Sequence, residues 1–139
     1  MAEISIEDFC IALYCAYTRF DALAPDVAGT ITFTARVLDT DREDYYRVQC
    51  TGVRDYSVRS DSQHSRWAPE DRLELSVVEL EGAPGSWRVS FNPFYTHEIE
   101  FRCRQLRVNG AEVVGRGKHL QDELPGRAPK VPPYSPGAA

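Results

Sequence analysis

The chain has 139 residues, 42% apolar and 27% charged, with a net charge of -5 from 21 acidic and 16 basic side chains. Such a length and composition describe one ordinary globular domain, able to bury about two-thirds of its unfolded surface without metal or disulfide staples. The basic residues are interspersed with acidic ones, which argues against nucleic-acid backbone binding, and no apolar run is long enough to cross a membrane.

Met1-Ala2-Glu3-Ile4 is acidic rather than basic, so no signal peptide is expected and the location is read as cytoplasmic. Of the 16 basic residues only Lys118 and Lys130 are lysines, a bias that points to a GC-rich bacterial genome.

The first element is a helix in "SIEDFCIALYCAYTRF". Ser5 is placed to cap it, with Asp8 three residues on as the acidic half of a capping box. Ile6, Phe9, Cys10, Leu13, Tyr17 and Phe20 recur at helical spacing, and Ile11, Ala12 and Cys15 make the opposite face apolar too, so a well-buried helix is expected. Its end is open, because "YTRF" alternates and also suits an extended segment. Pro25 and Gly29 mark the loop that follows.

From there the period becomes two. Ile31, Phe33, Ala35 and Val37 alternate with polar residues, then Tyr46, Val48 and Cys50 do the same after the polar turn "DTDRED"; together they read as a hairpin. The stretch from Arg54 to Arg72 carries eight charges in nineteen residues and reads mostly as a long surface loop. Leu73, Leu75 and Val77 resume the alternation, and the doublet Val77-Val78 shifts the parity to Leu80, the mark of a bulge or an early end.

Trp87, Val89 and Phe91 share one face, as do Ile99, Phe101 and Cys103 across the turn. Antiparallel pairing of Phe91 with Ile99, Val89 with Phe101 and Trp87 with Cys103 puts all six on one apolar side. Asn109-Gly110 is a hairpin-turn signal and predicts a last short strand from Ala111 to Val114. "GRGKHLQDEL" is expected to hold a short helical turn with Leu120 and Leu124 docked on the domain. Residues 125–139 contain five prolines in fifteen and read as an extended tail or a segment lying along the surface.

Motifs for chemistry fail on spacing. His97-Glu98 opens a zinc-protease pattern, but Phe101 stands where the second histidine belongs. His97 and Cys103 share a strand face but lie roughly 20 Å apart at about 3.3 Å per residue. "GRGKH" lacks the first glycine and the hydroxyl residue of a phosphate loop. The cysteines Cys10, Cys15, Cys50 and Cys103 form no C-x-x-C pair and sit among apolar residues, which suits buried thiols in a reducing compartment. His64, beside Asp61 and Trp67, is the nearest approach to an acid-base cluster, in a loop that is polar by default.

Three stretches, "DFCIALYCAY", "YYRVQCTGVRDYSV" and "WRVSFNPFYTHEIEFRCRQLRV", resemble small uncharacterised bacterial α+β proteins of the immunity-protein type found in polymorphic toxin systems. The likeness spans residues 44–108 and lies in an aromatic strand, an aromatic-rich turn and an I-E-F-x-C strand. It implies a protein that binds without catalysis. The acidic net charge suits capture of a basic toxin or effector.

The sequence therefore predicts an α+β fold: an N-terminal helix packed on a five- to six-stranded antiparallel sheet over residues 1–124, then a Pro-rich tail over 125–139. Phe9, Leu13, Ile31, Phe33, Val48, Leu75, Val89, Ile99 and Phe101 are the expected core. The function expected is a protein-binding module, an immunity or accessory protein. Two other readings stand beside it: a small-ligand domain whose aromatic pocket draws on Tyr14, Tyr17, Tyr45, Tyr46 and Trp87, and an enzyme with an unrecognised site. The expected partner surface is Arg59, Asp61, His64, Arg66 and Trp67, where Trp67 either folds back as a lid or anchors a partner. No cofactor, metal, nucleic acid or membrane is expected as a ligand, and the oligomeric state is left open. Elemental analysis of protein purified without an affinity tag should show no stoichiometric zinc or iron; one equivalent lost in His97→Ala would overturn the expectation that no metal binds.

Overall fold

The computed structural model describes residues 2–14, 17–20, 29–36, 45–60, 73–93 and 97–132. They form one helix, α1 (Ile6–Leu13), and eleven strands. The strands are β1 (Glu3–Ser5), β2 (Tyr17–Phe20), β3 (Ile31–Arg36), β4 (Tyr45–Thr51), β5 (Arg54–Ser60), β6 (Leu73–Ala83), β7 (Ser86–Pro93), β8 (His97–Cys103), β9 (Gln105–Val108), β10 (Ala111–Val114) and β11 (Gly117–Gln121). The α+β character holds, with more sheet than the expected five to six strands.

Pairing runs β1-β10-β9-β4-β3-β2 in one sheet and continues from β2 through β6, β7 and β8 to β5 in the other. All pairs are antiparallel except β1 with β10. The sheets also join at their far side. Thr51 pairs with Gln105 on β4 and β9, and Arg54 with Arg102 on β5 and β8, so equal lengths of chain cross the gap and the register carries through. Arg104 N donates to Thr51 O at 2.9 Å in the bend. Gly52 makes the turn possible: its φ is +67°, and a Cβ there would come within 2.9 Å of the Arg104 stem. The path β4-β3-β2-β6-β7-β8 thus returns to β4 through β9.

The core fills this enclosure. Each residue of the expected core is at most 3% exposed. Phe33 on β3 meets Phe91 on β7 edge to face at 5.7 Å, and Phe91 meets Phe101 at 6.2 Å. The β7–β8 register is the one the apolar pattern predicted: Phe91 with Ile99, Val89 with Phe101, Trp87 with Cys103. Asn109 (φ 52°) and Gly110 (φ 83°) turn β9 into β10 as their sequence predicted. The bulge in β6 falls between Leu75 and Val77, so that Leu75, Val78 and Leu80 all face inward.

The structure closes one open point and corrects two expectations. The helix stops at Leu13, and Tyr17–Phe20 takes the extended form its alternation also suited, in ladder pairs with β3 and β6. Residues Arg54–Ser60, expected in a loop, form β5 against β8. Residues Gly117–Gln121 are a strand, not a helical turn, and Leu120 and Leu124 are 44% and 83% exposed rather than docked. The cause is backbone demand: β2 covers only Leu73 and Glu74 on β6, and β11 pairs with its later stretch, Val78 to Gly82.

Helix α1 packs on β11 and β6 and touches β1 and β10. Asp8 ties its start to the chain beyond β11. Ser5 Oγ accepts from Asp8 N (3.1 Å) and donates to Asp8 Oδ2 (3.0 Å), while Asp8 Oδ1 accepts from Arg127 Nη1 (2.6 Å) and Lys130 N (3.2 Å). Asn109 Nδ2 donates to Pro132 O at 2.8 Å, and Val131 packs on the core. Residues 127–132 are therefore strapped to the domain; the rest of the Pro-rich segment, 133–139, lies outside the described residues.

Burial opposes ionisation of Asp8, but the hydrogen bonds from Arg127, Lys130 N and Ser5, with the Arg127 charge, prevail and hold its carboxyl below the ordinary value of 3.8. A depressed folded-state pKa contributes stability that is present above the unfolded value and lost as pH falls through the folded one. Asp8→Asn should lower the melting temperature at neutral pH by roughly 3–6 °C, the shift that ~1 kcal/mol gives a domain of this size. That gap should close as the pH drops below 3.8. Thermal melts across this range check it; a gap independent of pH would show that the charge is not what holds the strap. Amide exchange should be slowest over 87–91 and 99–103, and Phe91→Ala should cost about 3–5 kcal/mol in a denaturant titration.

Candidate functional site

The sheet path ends at β1 and at β5. β1 is three residues long, but β5 is seven, and among the described residues no strand lies on its outer side. Its sequence, Arg-Asp-Tyr-Ser-Val-Arg-Ser, alternates only after a bulge. The register against β8 shifts between Arg54 and Ser57, and Asp55 takes a φ of 54°. A short polar side chain tolerates that left-handed backbone better than most. Beyond the bulge, Tyr56 turns inward and stacks at 6.3 Å on Phe101, with its hydroxyl pushed up to about 12 by burial. Val58 pairs with buried Ile99 but stays 37% exposed, because no neighbour among the described residues covers its outer flank.

Arg59, opposite Glu98, is exposed near the end of β5. It is the one residue of the expected partner surface that falls in the described chain. Asp61, His64, Arg66 and Trp67 lie outside the described residues, as does the choice between lid and anchor for Trp67.

The outer face beside β5 is charged and paired. Arg88 sits at its centre, with Nε donating to Glu100 at 2.7 Å and Nη1 facing Glu79 at 3.3 Å and Glu81 at 3.4 Å. The Glu100 hydrogen bond leads the causes that raise its pKa further. Lys118 on β11 reaches Glu79 at 3.4 Å. The register places Arg88, Arg102 and Arg54 side by side across β7, β8 and β5, a row of like charges met by Glu100 and, at 4.0 Å from Arg102, by Asp55. No sequence motif marks this row, though the cross-strand register predicted for β7 and β8 already places Arg88 opposite Arg102.

The cysteines of the described residues are buried; Cys15 lies outside the described residues. Cys10, Cys50 and Cys103 are free thiols within the core. Burial pushes Cys10 up to about 12, and its Sγ donates to His119 O at 3.7 Å. Burial, then contact with Cys103, holds Cys50 well above its ordinary value. Thiols kept protonated in this way are poor nucleophiles and poor metal ligands. His119 Nε2 lies 2.9 Å from Gln121 Oε1. Among the described residues no group of three or more His, Cys, Asp or Glu side chains is placed to hold a metal ion.

Three side chains of the small-ligand reading lie within the described structure. Trp87 is fully buried in the core, Tyr46 packs on the core's margin, and Tyr14 donates its hydroxyl to Asp122 O at 3.2 Å. The Tyr17 and Tyr45 side chains lie outside the described residues. Trp87 Nε1 has no hydrogen-bond partner among the described residues, an arrangement that costs about 1–3 kcal/mol. No described helix is long and apolar enough to cross a membrane. Compared with known proteins, the chain gives no significant match to a family model, a curated protein or a solved structure.

Proposed function

We propose that this chain is a non-catalytic protein-binding domain of the immunity or accessory type, docking a basic toxin or effector through the end of β5 and the segment from Arg59 to Trp67. The observation that carries the reading is the seven-residue edge strand, open on its outer side among the described residues and exposing Arg59 where the chain leaves the sheet. Open edges and exposed arginines are what a binding domain offers to a partner. Supporting it, the described thiols are buried, with ionisation of Cys10 and Cys50 opposed by that burial, and Asp8 and the acids around Arg88 are engaged in structural pairs. The net charge of -5 favours encounter with a basic partner.

Trp67 is the expected anchor. Trp67→Ala should leave the melting temperature nearly unchanged and weaken binding of the native partner, captured from host cells and identified by mass spectrometry, by at least tenfold, about 1.4 kcal/mol. If Trp67 is instead a lid on the core, the change should destabilise the fold by about 3–5 kcal/mol. Unchanged stability together with unchanged capture would remove this segment from the binding surface.

A further inference from the structure

We infer that β5 pairs edge to edge with β5 of a second copy of this chain, antiparallel and centred on Ser57, so that the sheet continues across a two-fold axis. A second copy and the partner of the proposed docking would compete for this same edge, whatever that partner is. An unpaired edge is a template for another strand, and proteins usually blunt it with charges and bulges. β5 carries both, with Arg54, Asp55 and Arg59 exposed and the bulge at Asp55. Those charges repel many strands but suit this one.

Antiparallel pairing centred on Ser57 places Asp55 opposite Arg59 of the second copy, twice over by symmetry, and Tyr56 opposite Val58. Cross-strand pairs of opposite charge, and of an aromatic with a β-branched residue, are the favourable kinds. The register also respects the two faces of the strand. Tyr56 and Val58 both lie on the core side, so their pairing would cover the exposed flank of Val58. Centring on Arg59 would set like charges against each other, and centring on Val58 would leave Arg59 opposite Ser57 with no opposite charge. Asp55 can turn to such a partner, because its side chain is 72% exposed and its contact with Arg102, at 4.0 Å, is a long one. One pair of short edges buries less than the roughly 1,200 Å² of a standard interface, so the dimer is weak and forms at high protein concentration.

Sedimentation velocity on the purified chain, over a wide range of concentration, should show a monomer–dimer equilibrium. Arg59→Asp and Asp55→Arg should each raise the dimer dissociation constant by roughly tenfold or more, since each sets like charges opposite one another. The double variant should regain dimerisation to within about threefold of the parent, because the pair is restored with its ends exchanged. A cooperative melt, lowered in the Asp55→Arg variants by no more than the strain of a long side chain at that left-handed position, would confirm that each variant folds. Amide exchange over residues 56–60 should slow as concentration rises. A monomer at every concentration would overturn the inference and leave the edge to another strand. A dimer indifferent to both single changes, or one the double change fails to restore, would overturn it as well. None of these readouts involves the toxin or effector, so failure here leaves the partner-binding reading to its own test.

Discussion

Two bent strands hold this fold together. β4 runs into β5 and β9 runs back into β8, and the two chains stay in register through the bend, Thr51 with Gln105 before it and Arg54 with Arg102 after it. β3 and β2 hang from β4; β7 and β6 hang from β8. The facing of Phe33 and Phe91 across the interior follows from that turn. At its hinge Gly52 combines a left-handed backbone with the close passage of the Arg104 stem, two demands that a side chain there cannot meet together.

The same geometry explains how charge-rich segments become strands. Inside, β5 and β8 present Tyr56, Ile99 and Phe101 to the core. Outside, they align Arg54 with Arg102, and Arg102 with Arg88. Directly opposed like charges are unfavourable. Glu79, Glu81 and Glu100 around Arg88 compensate on the β7 side. Toward β5, among the described residues, the compensation thins to one long contact with Asp55. The surface grows less self-sufficient as the sheet approaches its open edge.

What is legible from sequence is local. The hairpin from Trp87 to Cys103 has a clean period of two and a short connection, so its register can be read residue by residue. The Ser5 cap needs only its neighbour Asp8. β11 escapes such a reading because "GKHLQ" carries no apolar alternation; it is a strand because a distant stretch of β6 has backbone groups left to pair. β5 is hidden by its charges, which a bulge and a non-local partner accommodate. Arg59 stands out in sequence as a surface charge, but nothing in its neighbourhood says that it stands on the last strand of a sheet. The burial of Cys10, Cys50 and Cys103 is legible from their apolar neighbours; the contact between Cys50 and Cys103 is not, because it spans the bend.

The Asp8 clamp has a consequence for how the chain is made. Asp8 and Arg127 are 119 positions apart, and Cys10 reaches His119 across 109. Ile4 pairs with Val113. The helix is thus translated well before the strands and strap that house it. At about 5–20 residues per second, roughly 5–20 s separate the appearance of Phe9 and Leu13 from that of the strands and strap that enclose them. For that interval a short, all-round apolar helix rides exposed on the nascent chain, too short to be stable by itself. The domain closes only once the segment carrying Arg127 has emerged, and in that window the apolar helix is a target for chaperones and for aggregation.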